Sequence, residues 1–217
     1  MGIRVKICGV TDRDGATAAV VAGADCVGFV FAESERRVTP EVAAGIAGVL
    51  PDGVRRVAVF RHPTGRDLRE VMMGFSPDII QSEPDPAVFG FLGKRRLLPV
   101  FHDSEDLVER VGAYRVSDPS GLVLLEGVGR GGRGTKANWD RAREVALLGP
   151  LALAGGLTPD NVADAIRRVR PFAVDVSSGV ESAPGIKDPS KVTAFIQAVR
   201  EAEAERIEKA DEETVVP

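Results

Sequence analysis

A thiol and a carboxyl group that could transfer protons each stand at the end of a short apolar run. Cys8 ends the run 4–8 and is followed by Gly9, which leaves the thiol open to approach. Glu126 directly follows the apolar run 123–125, and partial burial there would raise the proton affinity of its carboxyl group, which suits a general acid. Position alone also allows plainer roles, with Cys8 as a small buried side chain and Glu126 as an exposed loop residue.

Two glycine-containing segments late in the chain have the composition of a phosphate site. Residues 154–157 (Ala-Gly-Gly-Leu) and 176–179 (Val-Ser-Ser-Gly) each offer backbone N–H groups beside small side chains. Loops of this kind, together with a helix N-terminus, commonly bind phosphate in parallel barrels. The candidate phosphate-binding residues are Gly155, Gly156, Ser177, Ser178 and Gly179. Two ordinary glycine turns are the alternative interpretation.

The cysteines and histidines do not indicate a metal site. Cys8 and Cys26 are too far apart for a Cys-x-x-C motif, and His62 and His102 belong to no His-x-x-x-His pair. These are the spacings that metal sites usually require. We therefore expect no metal. Cys26, at the start of the second apolar run, is interpreted as a packing residue.

Apolar, often β-branched runs alternate with helical patterns from one end of the chain to the other. The predicted strands are residues 4–8, 26–31, 56–60, 78–81, 97–101, 121–125, 151–154 and 173–176. The predicted helices are residues 12–22, 39–50, 65–74, 86–92, 104–111, 139–147, 159–168 and 189–203. Strand–helix units of about 25 residues use up the whole chain, which favours an α/β fold with a single (β/α)8 barrel over a doubly wound sheet.

A parallel barrel would bring the candidate residues to one mouth. Catalysis in such barrels takes place where the strands end and the loops to the helices begin. Cys8, Glu126 and Asp175 lie at or near the ends of the first, sixth and eighth strands, and Arg36 lies in the loop after the second. We therefore predict that these four side chains converge, with the two glycine segments beside them.

The net charge of −4 is concentrated at the end of the chain. Residues 201–217 carry seven acidic side chains against two basic ones, so the rest of the chain is close to neutral. Such a body has no broad positive field for nucleic acid, but local basic groups can bind an anionic small molecule. We predict one catalytic barrel domain, residues 1–203, and an acidic, frayed tail, residues 204–217.

The hydropathy pattern predicts a protein without a membrane partner. No run of roughly 18 apolar residues, the length of a membrane span, occurs. The first residues also lack the long apolar segment of a signal peptide. We expect a cytoplasmic protein, either a monomer or a homodimer.

Several longer segments, most of them at predicted strand ends, occur in an order that is specific to one family. They are residues 5–9 (VKICG), 23–31 (GADCVGFVF), 34–36 (SER), 131–134 (GGRG), 154–162 (AGGLTPDNV) and 171–181 (PFAVDVSSGVE), with Trp139 after the glycine loop. Together they resemble phosphoribosylanthranilate isomerase, a family of tryptophan biosynthesis. The resemblance spans residues 3–200.

The resemblance implies an activity and a role for each candidate residue. The family converts N-(5-phosphoribosyl)anthranilate to its 1-deoxyribulose form by an Amadori rearrangement, an aldose–ketose isomerisation without a cofactor. Cys8 then corresponds to the general base that takes the proton from ribose C2, which requires a thiolate and therefore a lowered pKa. Glu126 stands at the position of the general acid. Arg36 pairs with the anthranilate carboxylate, Asp175 binds substrate, and the glycine segments bind its phosphate.

Two positions depart from the family pattern, and two other functions stay open. Glu126 replaces the usual Asp, and its extra methylene adds a bond of about 1.5 Å; residues 81–84 are Gln-Ser-Glu-Pro instead of Gln-Leu-His-Gly. A related isomerase of a histidine-pathway aminosugar would need a second phosphate loop, for which residues 127–134 are the candidate. A sugar-phosphate-binding protein without catalytic activity is the other alternative.

Overall fold

The computed structural model describes residues 2–85, 97–118, 121–128 and 136–214, and its main strands form one closed parallel barrel. They are β1 (Arg4–Cys8), β2 (Cys26–Val30), β3 (Arg55–Val59), β4 (Ile79–Ser82), β5 (Leu97–His102), β6 (Val123–Glu126), β7 (Leu151–Leu153) and β8 (Ala173–Val176). Each strand pairs with the next in chain order, and β8 returns to pair with β1, with Lys6 opposite Asp175. The predicted barrel is confirmed, since a doubly wound sheet would leave two open edges.

Helices follow the strands and cover the outside of the barrel. Among the described residues they are α1 (Arg13–Ala22), α2 (Pro40–Ala47), α3 (Gly65–Gly74), α4 (Leu107–Ser117), α5 (Trp139–Leu148), α6 (Val162–Val169) and α7 (Pro189–Thr214). Their apolar faces pack on the outer faces of the strands in one large core cluster. The predicted helix at residues 86–92 lies outside the described residues.

Two Thr-Pro pairs in the sequence, Thr39-Pro40 and Thr158-Pro159, each predict a helix with Thr at the N-cap and Pro at the first helical position. The two predictions have different outcomes. Thr39 caps α2 with its side chain, and Pro40 occupies the first helical turn, as predicted. The same prediction for Thr158 is wrong, because α6 begins later, with Asn161 at the N-cap. The Asn161 side chain accepts a hydrogen bond from the Thr158 N–H and donates one to the Gly156 carbonyl, both 2.9 Å long. These bonds close a turn between the second glycine of the segment and the helix.

Alternation along β1 separates core residues from site residues. Val5 and Ile7 point outward into the layer beneath the helices, where both are fully buried. Side chains two residues apart share a face of a strand, so Lys6 and Cys8 point into the barrel together. The barrel interior also contains a small apolar cluster of Leu98, Val100, Leu124, Ala152, Ala154 and Ala173.

A short hairpin that was not predicted from the sequence follows β8. It comprises a 3-10 turn (Ser178–Val180) and two antiparallel strands, β9 (Glu181–Ala183) and β10 (Ile186–Lys187). The ammonium group of Lys187 donates a hydrogen bond to the Ser177 carbonyl at 3.2 Å. The hairpin therefore brings the side chains of Glu181 and Lys187 back to the end of the barrel at which β8 finishes.

The last helix extends further than the predicted end at residue 203. Helix α7 continues to Thr214 through residues rich in Ala, Glu and Arg, which favour helix. Within this extension Glu205 lies 3.0 Å from the Nε atom of Arg167 on α6. The division into a domain of residues 1–203 and a tail of residues 204–217 stays a prediction. None of the helices within the described ranges has the length and apolar character needed to cross a membrane.

Candidate active site

One pocket at the carboxyl ends of the strands contains every site residue predicted from the sequence. Its lining includes Cys8 of β1, Glu126 of β6 and Asp175 of β8, together with Arg36 from the loop after β2. The two glycine segments line the same pocket through Gly155, Gly156, Ser177, Ser178 and Gly179. The convergence that the strand-end rule predicts is therefore present in the fold.

The Cys8 thiol is almost completely buried in this pocket, with 8% of the residue exposed. Burial raises the pKa of the thiol, and the Asp175 carboxylate raises it further, whereas the ammonium groups of Lys6 and Lys187 lower it. The outcome is a pKa above the ordinary value for cysteine. The predicted lowering is therefore wrong, because the loss of hydration outweighs the cations beside the sulfur.

Gly28, the partner of Cys8 in the β1–β2 register, leaves space for the thiol. A Cβ atom on Gly28 would lie 3.0 Å from the sulfur of Cys8 and 3.1 Å from Cε of Lys6. We expect Gly28→Ala to push the sulfur aside and to lower kcat by about 10- to 100-fold, because small misplacements of a reacting group are costly. Steady-state kinetics and a melting curve would measure the two effects separately.

The matched control is Gly53→Ala, since a Cβ atom there meets nothing within 4 Å. This variant should keep the kcat of the unmodified protein. A Gly28→Ala protein that folds and turns over at the same rate would show that the position of the sulfur is unimportant.

A buried ion pair lies next to Cys8 inside the barrel. The Nζ atom of Lys6 lies 3.0 Å from each carboxylate oxygen of Asp175, and both side chains are less than a tenth exposed. Burial alone would lower the pKa of Lys6, but the charges of Asp175 and Cys8 raise it above its ordinary value. Lys6 is therefore a permanent cation that fixes the orientation of the Asp175 carboxylate at the pocket.

Arg36 lies at the pocket in a bidentate ion pair with the carboxylate of Glu181. Its Nε and Nη2 atoms donate to the two oxygens of Glu181 at 2.8 and 2.7 Å, and Lys187 donates to the same carboxylate at 2.7 Å. Burial would raise the pKa of Glu181, but the hydrogen bonds from both cations keep that pKa below its ordinary value. The bidentate pair fixes the guanidinium plane, and guanidinium has further N–H donors with which to bind an anion.

Glu126 ends β6 beside His102 of β5. Its carbonyl accepts a hydrogen bond from the Asp103 N–H at 2.9 Å, which fixes the backbone there.

Glu83, at the position where the family usually has His, lies 3.1 Å from His102 and 3.3 Å from His62. The departure at residues 81–84 thus places a carboxylate–histidine cluster at the pocket. Within the described ranges, no group of three or more His, Cys, Asp or Glu side chains could hold a metal ion.

The two glycine segments depend on backbone that only glycine tolerates well. Gly155 and Gly156 have φ angles of 85° and 65°, in the left-handed region. Gly179 packs directly on the other segment, since a Cβ atom there would lie 1.9 Å from the carbonyl oxygen of Leu157. The close contact holds the loops after β7 and β8 together.

We expect Gly179→Ala to force these loops apart. The substitution should cost about 1–3 kcal/mol of stability, as overpacking usually does, and should raise KM for a phosphorylated substrate. Thermal unfolding and the dependence of rate on substrate concentration would measure both. Gly45→Ala is the control: its Cβ atom meets nothing within 4 Å, and alanine within a helix should add about 0.5–1 kcal/mol. An unchanged KM in Gly179→Ala would show that the contact between the two loops does not affect substrate binding.

Comparison with known proteins decides the family of this barrel. Residues 5–198 match the family model for N-(5'-phosphoribosyl)anthranilate (PRA) isomerase. The N-(5'-phosphoribosyl)anthranilate isomerase of Geobacter sulfurreducens is 42% identical over 201 residues, which cover 91% of this chain and 98% of the relative. The chain belongs to the PRA isomerase family.

Solved structures of PRA isomerases have the same fold. The enzyme from Thermotoga maritima is 35% identical, with a TM-score of 0.83 over 92% of this chain and 99% of the other. A PRA isomerase in complex with reduced 1-(o-carboxyphenylamino)-1-deoxyribulose 5-phosphate superimposes with a TM-score of 0.80, also at 35% identity and with the same coverage. The resemblance inferred from the sequence is confirmed.

Charged residues that were not predicted from the sequence bond to residues that line the pocket. Lys6 could have been found, because it precedes Cys8 by two residues and the alternation of β1 gives both the same face. Glu181 and Lys187 gave no such signal. Glu181 ends the motif 171–181, but it binds Arg36 from 145 positions further along the chain, and no local spacing indicates that pairing.

Proposed function

We propose that this chain isomerises N-(5'-phosphoribosyl)anthranilate, with Cys8 as the general base and Glu126 as the general acid. The observation that carries the proposal is the single pocket lined by this thiol, this carboxyl group and both glycine segments. The thiol comes from β1 and the carboxyl group from β6, three strands away around the closed barrel. A sugar held between them can therefore meet a base on one side and an acid on the other.

Glu126 acts in the first step, which opens the furanose ring. Its carboxyl group gives a proton to the ring oxygen while the bond between that oxygen and C1 breaks. The lone pair of the anilino nitrogen forms a C1=N double bond, so the nitrogen becomes positively charged. This cation makes the hydrogen on C2 acidic enough for a side-chain base to remove.

Cys8 acts in the second step as a thiolate. It takes the proton from C2, and the electron pair of that C–H bond forms the C1=C2 bond while the nitrogen becomes neutral. The resulting enol then tautomerises: C1 gains a proton, the C2 hydroxyl loses one, and a ketone forms at C2. No electrons leave the substrate, which is consistent with a scheme that uses no cofactor.

The remaining pocket residues hold the substrate in place. Arg36 binds the anthranilate carboxylate, with its plane fixed by Glu181. Asp175, whose carboxylate is oriented by Lys6, binds the substrate. The segments 154–157 and 176–179 bind the phosphate through backbone N–H groups at the start of the 3-10 turn and the loop before α6.

Each copy of the chain supplies a complete set of these groups. Every residue to which the scheme gives a contact with the substrate lines one pocket of a single chain, so both the predicted monomer and the predicted homodimer could be active. The cytoplasmic location likewise stays a prediction.

The test is the loss of phosphoribosylanthranilate fluorescence when purified protein is added. We expect a rapid, enzyme-dependent decrease and formation of the 1-deoxyribulose product. Turnover of the histidine-pathway aminosugar instead would favour the related isomerase. Tight binding of the reduced product analogue without any turnover would favour the sugar-phosphate-binding protein, and either result would contradict the proposal.

A further inference from the structure

Five charged side chains surround the Cys8 thiol. Three are cations: Lys6 on β1, Lys187 on β10, and Arg36 in the loop after β2. The electrostatic field at Cys8 also includes the carboxylate of Asp175 on β8. The fifth group, Glu181, contacts two of the cations directly. The charged groups around the thiol thus come from β1, β8, β9, β10 and the loop after β2.

The cations and carboxylates in this cluster do not balance. Glu181 is shared by Arg36 and Lys187, and Asp175 is paired with Lys6. Three positive charges therefore face two negative ones in a region that is largely closed to water. Uncompensated charge is costly in such a region, and ionisation of Cys8 would supply the missing negative charge.

Lys6 is the cation best placed to act on the thiol. The side chains of Lys6 and Cys8 both point into the barrel from β1, and both reach the space beside Gly28. A Cβ atom on Gly28 would lie 3.0 Å from the sulfur of Cys8 and 3.2 Å from Nζ of Lys6. Among the groups acting on Cys8, Lys6 makes the largest contribution that lowers the pKa of the thiol.

We propose that Lys6 is a positioning residue that stabilises the Cys8 thiolate, and that Asp175 sets how much of the Lys6 charge reaches the sulfur. The importance of Lys6 for turnover rests on the proposed function. Its effect on the ionisation of the thiol does not, so the two can fail separately. Burial of Cys8 disfavours the thiolate, and the Lys6–Asp175 pair offsets part of this effect.

The experiment is a pH titration of the thiol by its ultraviolet thiolate absorbance in Lys6→Met and Asp175→Asn. The Cys8→Ser version of each variant is subtracted, which removes the signal of Cys26. Loss of the cation should raise the midpoint by about 1–3 pH units, and loss of the neighbouring carboxylate should lower it. Lys191→Met is the matched control, because Lys191 is exposed and its ammonium group donates to a backbone carbonyl, that of Glu181; the midpoint of this variant should stay unchanged.

Turnover gives a second readout that a purely structural role would not change. If Lys6 acts through the thiolate, the rise of kcat/KM with pH should move to higher pH in Lys6→Met, so its deficit should shrink as the pH increases. A deficit that is the same at every pH, with an unshifted thiol titration, would overturn the proposal. A shifted titration in a protein that never isomerises phosphoribosylanthranilate would support the role of Lys6 and contradict the proposed function instead.

The double variant Lys6→Met/Asp175→Asn keeps the proposal testable if Lys6→Met alone does not fold. Lys6→Met alone leaves Asp175 buried without its partner, whereas the double variant is neutral at both positions. Its midpoint should exceed that of Asp175→Asn by about 1–3 pH units. Equal midpoints in these two variants would also overturn the proposal.

Discussion

Cys8→Ala should reduce kcat by about 10²–10⁴-fold, the usual contribution of a positioned general base. The alanine variant should still bind the reduced product analogue with an affinity close to that of the unmodified protein. This separation is expected because the variant leaves Arg36, Asp175 and the glycine segments, the proposed substrate-binding groups, untouched. Stopped-flow or steady-state fluorescence would give the rate, and calorimetry the affinity.

The second cysteine provides the control for this substitution. Cys26 begins β2 and lines a different cavity, at the amino ends of the strands. Burial raises the pKa of its thiol to about 11, but the decisive difference from Cys8 is that Cys26 does not line the pocket at the carboxyl ends of the strands. Cys26→Ala should therefore retain turnover. Near-normal kcat in Cys8→Ala would remove the thiol from the mechanism.

Glu126→Gln should also reduce kcat by about 10²–10⁴-fold, because the amide keeps the size of the side chain but cannot give up a proton as an acid. Binding of the product analogue should persist. Glu126→Asp should be more active than Glu126→Gln, since it keeps the acid and loses only reach. The rates of the three proteins, measured at one pH, give the comparison directly.

Glu83→Gln is the matched control for Glu126→Gln. Glu83 lines the same pocket, but its carboxylate is occupied by His102 and His62. The same chemical change there should cause a far smaller loss of turnover. If the two glutamine variants were equally impaired, the acid would have to be assigned elsewhere in the pocket.

The strands and the composition of the pocket could be predicted because both depend on local pattern. Apolar runs of strand length predict the barrel, and the rule that sites form at strand ends selects Cys8, Glu126 and Asp175 from the sequence alone. Glycine placement selected the two segments in the same way. These features are encoded within a few residues of each position.

The errors arose where the outcome depends on side-chain contacts and burial that sequence spacing does not encode. The start of α6 was misplaced because the Asn161 side chain ties back to Gly156, a contact that a Thr-Pro signal does not encode. The pKa of Cys8 was predicted in the wrong direction because its sign depends on how deeply the thiol is buried. The partner of Arg36 was missed because Glu181 arrives from a hairpin far along the chain.

The most direct test of the central claim is a crystal structure of this chain with reduced 1-(o-carboxyphenylamino)-1-deoxyribulose 5-phosphate. We expect the sulfur of Cys8 at about 3–3.5 Å from C2, the separation of groups poised to react. The carboxyl group of Glu126 should lie within hydrogen-bond reach of the oxygen that comes from the furanose ring. A ligand bound with C2 out of reach of the sulfur, or with Glu126 turned into solvent, would contradict the account.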